Sequence, residues 1–142
     1  DYTTDLSELV SLSVGNILYS VEGSDTNEVY LGLGFNTLLA PALTVYYDTD
    51  ALAGDLFVTA AISHSLDLQE GLGLTFGGLV SYIDTDAFSD LHNFELSAGL
   101  DYAINENLSL SPNVIYSSPI SDDSDMIIDN EFMGGLTLTL SF

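Results

Sequence analysis

The chain has 142 residues, of which 22 are acidic and none is lysine or arginine, giving a formal net charge of −22 alongside 46% apolar residues. Without a basic side chain it has nothing to neutralise phosphate, which excludes nucleic-acid binding and attachment to anionic lipid through a basic patch. The absence of cysteine excludes disulfides, thiolate metal sites and thiol nucleophiles, and the apolar content is too high for a disordered acidic tail. The length fits one domain spanning residues 1–142. A start at Asp1 without Met fits a mature chain after removal of a signal segment, or a trimmed chain. Apolar runs fall far short of the roughly 18 residues of a spanning helix.

Period-two alternation dominates from Val10 onward and predicts strands. The first predicted strand, about Val10 to Val21, is irregular, and a bulge is expected near Gly15 and Asn16. The second sets Val29, Leu31, Leu33 and Phe35 against Tyr30, Gly32, Gly34 and Asn36. The third carries Leu43, Val45 and Tyr47; the fourth Leu56, Val58, Ala60 and Ile62. The fifth carries Leu72, Leu74, Phe76, Val80 and Tyr82; the sixth Phe94, Leu96, Ala98, Leu100 and Tyr102. Leu108, Leu110, Val114 and Tyr116 mark the seventh, and Leu136, Leu138, Leu140 and Phe142 the last.

The joins near Leu39–Pro41, Asp67–Gly71 and Asn105–Asn107 are short, whereas those at 22–28, 48–55, 84–91 and 118–131 are mostly longer. This alternation predicts an eight-stranded antiparallel up-and-down β-barrel, with both termini at the short-turn end and all long loops at the other. The long loops hold most of the acids, among them Glu22, Asp25, Glu28, Asp55, Asp90, Asp129 and Glu131. Only Glu95 and Asp101 fall inside predicted strands, both with inward parity.

The face opposite the Leu, Val and Phe stripe reads Gly32, Gly34, Thr44, Thr59, Gly73, Thr75, Ser97, Gly99, Ser109, Ser111, Thr137 and Thr139. Small uncharged residues suit the crowded interior of a narrow barrel, not a solvated outer surface. The apolar face is therefore expected to meet lipid. Tyr47, Tyr82, Phe94, Tyr116 and Phe132 lie near the long-loop end, as interfacial aromatics do. Tyr19, Tyr30 and Phe57 have inward parity and interrupt that belt.

The terminal run Gly135-Leu-Thr-Leu-Thr-Leu-Ser-Phe142 resembles the C-terminal signal of Gram-negative outer-membrane β-barrels. Leu33-Gly-Phe-Asn-Thr-Leu-Leu-Ala-Pro41 with Tyr46, Tyr47 and Asp48 is similar to uncharacterised porins of that superfamily. The resemblance implies residence in the cell outer membrane, insertion by the barrel-assembly machinery reading Leu138, Leu140 and Phe142, and a structural or surface-interacting role. It departs from the pattern in lacking Arg and Lys, which puts lipopolysaccharide contacts in doubt.

Asp48 and Asp50, Asp84 and Asp86, and Asp122, Asp123 and Asp125 supply hard oxygen ligands and are candidate Ca²⁺ sites, though none fits an EF-hand. The other reading is a solvated acidic crown. Glu95 and Asp101 are candidate lumen groups: without a basic partner each must be hydrated, hydrogen-bonded or protonated. They fit a narrow polar path as well as plain lumen hydration. His64 lies on the apolar parity near the short turns. His92 lies at the rim, where some outer-membrane proteases and acyltransferases keep an acid–His or Ser–His site. No nucleophile elbow or zinc-type spacing is present, so no catalysis is expected. An extracellular self-assembling subunit, forming a filament, tube or coat through its apolar walls as a homo-oligomer or polymer, is the alternative to the membrane barrel.

Overall fold

Alternating residues become strands, and the hairpins between them place consecutive strands side by side. The computed structural model describes residues 1–21 and 24–141. Its strands are β1 (Tyr2–Ser7), β2 (Val10–Val21), β3 (Ser24–Phe35), β4 (Ala42–Asp48), β5 (Leu56–Gln69), β6 (Leu72–Asp84), β7 (Ser89–Asn105), β8 (Leu108–Pro119) and β9 (Glu131–Leu140), with a short helix α1 (Asp122–Asp125) before β9. They form one antiparallel sheet in chain order.

Four expectations are corrected. The sheet has nine strands, because Tyr2–Ser7 forms an edge strand on β2; its six residues carry Asp5 and two threonines, too little alternation to register as a strand. The sheet does not close: among the described residues β1 and β9 are unpaired on their outer edges, so an eight-stranded barrel is not what is observed. No bulge occurs at Gly15 or Asn16, where β2 and β3 pair without interruption. Residues 24–28 of the first expected long loop are strand instead, since pairing runs out to Val21 and Ser24. Asp25 and Glu28 belong to β3 and are held across the hairpin by Ser20 (2.9 Å) and the Tyr19 hydroxyl (3.2 Å). Asp90 likewise belongs to β7. The expected loop residue Glu22 and the C-terminal Phe142 lie outside the described residues.

The turn end otherwise follows the prediction. Glu70–Gly71 links β5 to β6 with Gly71 at φ 76°, a conformation that costs glycine little and other residues more. The short β4 leaves the lower half of β5 to the preceding connection, whose Leu39 carbonyl accepts from Ser63 N at 2.8 Å and whose Leu38 carbonyl lies 2.8 Å from His64 Nδ1. His64 thus packs at the turn end, on the apolar parity as read.

One row of directly opposed residues crosses the whole sheet: Asp5, Ser11, Gly34, Ala42, Ala61, Leu79, Glu95, Ser117 and Glu131. It starts near the turn end of β2 and finishes at the loop end of β9. The strands are therefore strongly staggered, as tilted strands are.

The two faces differ in chemistry. No large apolar side chain among the described residues is buried, whereas Asp48, Ser81, Asn93, Ser117 and Ser124 are. The apolar face lies open, with Leu136 67% and Phe132 72% exposed. Leaving one such side chain in water forgoes roughly 1.5–3 kcal/mol. Ordering each residue costs about 1–2 kcal/mol of backbone entropy. The apolar face of the sheet is therefore left without a covering layer among the described residues.

Candidate functional site: the polar face and its acidic rim

The polar face is curved inward at the loop end. Phe57 on β5 and His92 on β7 have β6 between them, yet their rings meet edge-on at 5.9 Å. Strands two apart in a flat sheet stand roughly 9.6 Å from each other. Tyr30, Tyr46 and Phe57 continue the row at 5.6 and 6.2 Å. Tyr19, Tyr30 and Phe57 are on the polar face, as their parity indicates. Tyr46 joins them, a role its place beside the outward Tyr47 concealed.

A β-bulge builds the centre of this face. Val80 opposes Phe94 and Tyr82 opposes Leu91, so Ser81 faces both His92 and Asn93. Two consecutive side chains then share one side, which strict alternation forbids. Asn93 uses its position fully. Its amide nitrogen donates to Ser117 Oγ (2.8 Å) and Glu95 Oε1 (3.3 Å), its carbonyl oxygen accepts from Ser81 Oγ, and its backbone N–H donates to Ser81 Oγ at 3.1 Å. Glu95 is thereby anchored without a cation. Asp101, the other expected lumen group, accepts from Ser111 Oγ at 2.7 Å. It lines a cavity of about 500 Å³ near the turn end, with Asp67, Glu70, Ser65 and Thr75.

Helix α1 packs against the loop ends of β7 and β8. Ser121 caps it, accepting from Ser124 N at 3.2 Å. Ser124 Oγ lies 3.0 Å from His92 Nδ1, donates to the Leu91 carbonyl (3.4 Å) and is fully buried. This is a Ser–His pair at the rim, but its hydroxyl is enclosed and no carboxylate among its hydrogen-bond partners orients the ring. It fastens α1 to β7. Asp122, Asp123 and Asp125 occupy the first turn of the helix, where carboxylates complement the helix dipole.

The acids expected to bind Ca²⁺ do not converge. Among the described residues no group of three or more His, Asp or Glu side chains is gathered as a ligand set. Asp48 instead organises its own loop, accepting from Thr26 Oγ1 (2.5 Å), Asp50 N (2.8 Å) and Leu52 N (3.2 Å). Asp84 accepts from Ser89 Oγ.

Two rim carboxyls are displaced in opposite directions. The Thr26 hydroxyl, with the Asp50 and Leu52 amides, holds Asp48 below the usual carboxylate range against the effect of desolvation. Desolvation, then the charges of Asp86, Asp48 and Asp84, pushes Asp55 upward. A lowered carboxyl stabilises the fold above its unfolded value near about 3.9 and loses that contribution as pH falls towards its folded value. A raised one penalises the fold at neutral pH, and the penalty disappears as pH falls through the raised value. Amide protection in the 48–55 loop, corrected for intrinsic exchange, should therefore rise as pH falls through the raised Asp55 value and fall again below the unfolded carboxylate value of about 3.9. Asp55→Asn should remove the rise and keep the fall.

The aromatics assigned to an interface occupy the apolar face. Tyr47 pairs with Val29 and Leu56, Tyr82 with Val58, Phe94 with Val80, and Tyr116 with Leu96 and Phe132. Each is near the loop end of its strand. From β4 to β8 they step towards the turn end against the hydrogen-bonded rows, in the direction opposite to the stagger. Phe94 and Tyr116 also touch edge-on at 5.9 Å. Leu138 and Leu140 of the terminal run lie on the same apolar face, paired with Leu110 and Leu108.

Comparison with models of known families finds no match, and comparison with curated protein sequences finds none either. The residues and their geometry therefore carry the functional argument. Ser81, Asn93, Ser117 and Ser124 were not singled out in the sequence. The inward parity of Ser81 and Ser117 is visible there, but the bulge that turns Asn93 towards them is not.

Proposed function

We propose that this chain is an integral outer-membrane β-barrel with a structural or surface-interacting role, an acidic extracellular crown and at most a narrow polar interior. One observation carries the reading. The buried residues are polar and the large apolar ones are exposed, the reverse of a water-soluble domain. β2, β3, β5, β6, β7 and β8 have 12 to 17 residues, more than the roughly 9–11 that a tilted transmembrane strand needs. The barrel closes by pairing its free edges, because unpaired backbone groups in lipid cost several kcal/mol each. The spanning part ends at the level of Tyr47 and Leu56, which leaves Asp48 and Asp55 in the crown. The aromatic row and α1 cover the loop end of the polar face, so conductance is small. The enclosed Ser124 favours a clamp over an enzyme.

The test is extraction and sizing with and without detergent, followed by flotation with phosphatidylcholine vesicles. Monodisperse particles only in detergent, floating with vesicles and resisting urea extraction, are expected. Regular filaments or tubes in plain buffer overturn the reading. They would favour the self-assembling subunit, to which the free and nearly charge-free edge of β9 lends support.

A further inference from the structure

The free edge of β9 and the edge of β2 that β1 partly covers match each other in three respects. The first is stagger. The row that leaves β2 at Ser11 reaches β9 at Glu131, so Thr139, not Glu131, lies at the height of Ser11 when the turn ends are levelled. That offset of about eight residues is the shear of a closed eight-stranded barrel tilted by roughly 36°.

The second is hydrogen-bond phase. Asn36 N donates to Leu9 O at 2.9 Å and Ser141 N to Asn107 O at 2.9 Å. In an antiparallel pair both groups of a residue point to one neighbour, and successive residues alternate. The polar-face residues of β2 therefore bond to β3, and those of β9 to β8. The backbone groups turned away from β3 and from β8 fall on apolar-face residues: Leu12 and Val14 on β2, which β1 now occupies, and Leu136 and Leu138 on β9, which are free. These are the residues that closure sets opposite one another.

The third is direction. β1 and β9 both run towards the turn end, so joining them would need a parallel pair. β2 runs the other way and offers β9 an antiparallel one.

We propose that β9 closes the sheet onto β2, with Thr139 opposite Ser11, Thr137 opposite Ser13, Gly135 opposite Gly15 and Glu131 opposite Tyr19, and that β1 is a detachable strand holding this edge beforehand. The inference rests on the barrel part of the reading above and adds its register and the role of β1. β1 reaches only Val10–Val14 of β2, whereas β9 covers the edge up to Tyr19. Thr3 Oγ1 and Ser13 Oγ lie 2.9 Å apart, and Thr137 supplies the same hydroxyl once β1 leaves. The Gly135–Gly15 pair suits a place where the Tyr30 ring leaves no room for a Cβ on Gly15.

The cysteine-free chain permits a direct test. Ser13 and Thr137 would form a non-hydrogen-bonded pair with Cα atoms about 4.5 Å apart, within disulfide reach. The full-length double variants Ser13→Cys/Thr137→Cys, Ser13→Cys/Thr139→Cys and Thr3→Cys/Ser13→Cys are refolded in detergent, oxidised and run on non-reducing gels. Expected is an intramolecular bridge in most Ser13→Cys/Thr137→Cys molecules, with a several-fold faster yield when residues 2–7 are deleted. Bridging of Thr3→Cys but not Thr137→Cys to Ser13→Cys, or Thr137→Cys bridges only between chains, overturns the closure. Preferential bridging through Thr139→Cys overturns the stated register. Vesicle flotation of the same samples separates the two ideas. A floating chain without the bridge refutes the closure alone, and a bridged chain that never floats refutes the membrane reading alone.

Discussion

Leu96→Arg should destabilise the chain in a bilayer by about 1–2 kcal/mol, between the cost of a basic residue on the lipid face at the midplane and that near the interface, because Leu96 lies just inside the aromatic level of Phe94 and Tyr116, while Ser111→Lys should cost nothing or stabilise it slightly. Leu96 is 57% exposed on the apolar face, between Gly78 and Tyr116 in the sheet. An arginine there must be solvated in hydrocarbon or drag water inward. Ser111 is on the opposite face, its hydroxyl on Asp101. A lysine at 111 gives that carboxylate the counter-charge that this chain, with no Lys or Arg, otherwise lacks. Urea unfolding from phosphatidylcholine vesicles, followed by tyrosine fluorescence, measures both. If the apolar wall faced water the order would reverse, with Leu96→Arg harmless and more soluble.

Asn93→Ala should cost about 1–3 kcal/mol, the range for buried polar groups left without a partner. The backbone N–H of residue 93 still donates to Ser81, so the loss falls on the Ser81 hydroxyl, which gives up its side-chain acceptor, and on Ser117 and Glu95. Asn93→Asp separates this network from mere packing. It keeps the shape but replaces the donor to Glu95 with a second acid, and like charges at that range oppose each other. It should be worse than alanine at pH 7 and recover as the pair takes up a proton on acidification, whereas Asn93→Ala should show no such recovery. Equal losses at both pH values would mean that the network contributes only volume.

Period-two chemistry was readable along most of the chain because strand sidedness is local. Once a segment is extended, its parity alone decides which side chains share a face. Hence the polar face of Glu95, Asp101, Ser111 and Thr137, and the apolar placement of Tyr47, Tyr82, Phe94, Tyr116 and Phe132, follow from the residues themselves. Segments rich in acids misled. Asp25 and Glu28 read as loop because charge is rare in strands, yet a hairpin partner supplies Ser20 and Tyr19 to hold them. β1 was hidden for the same reason, since its six residues acquire a strand's geometry only from the edge of β2. The bulge that aims His92 and Asn93 at one face depends on where β6 and β7 fall out of register, a property of two strands and not of either alone. The same holds for the rim, where Asp55 is displaced by desolvation and then by carboxylates from the β6–β7 loop, β4 and β6. The amino-acid sequence by itself determined the strands and their two faces. Only the tertiary structure decided the number of strands, their stagger and which edges remain free, because these depend on contacts between residues far apart in the chain.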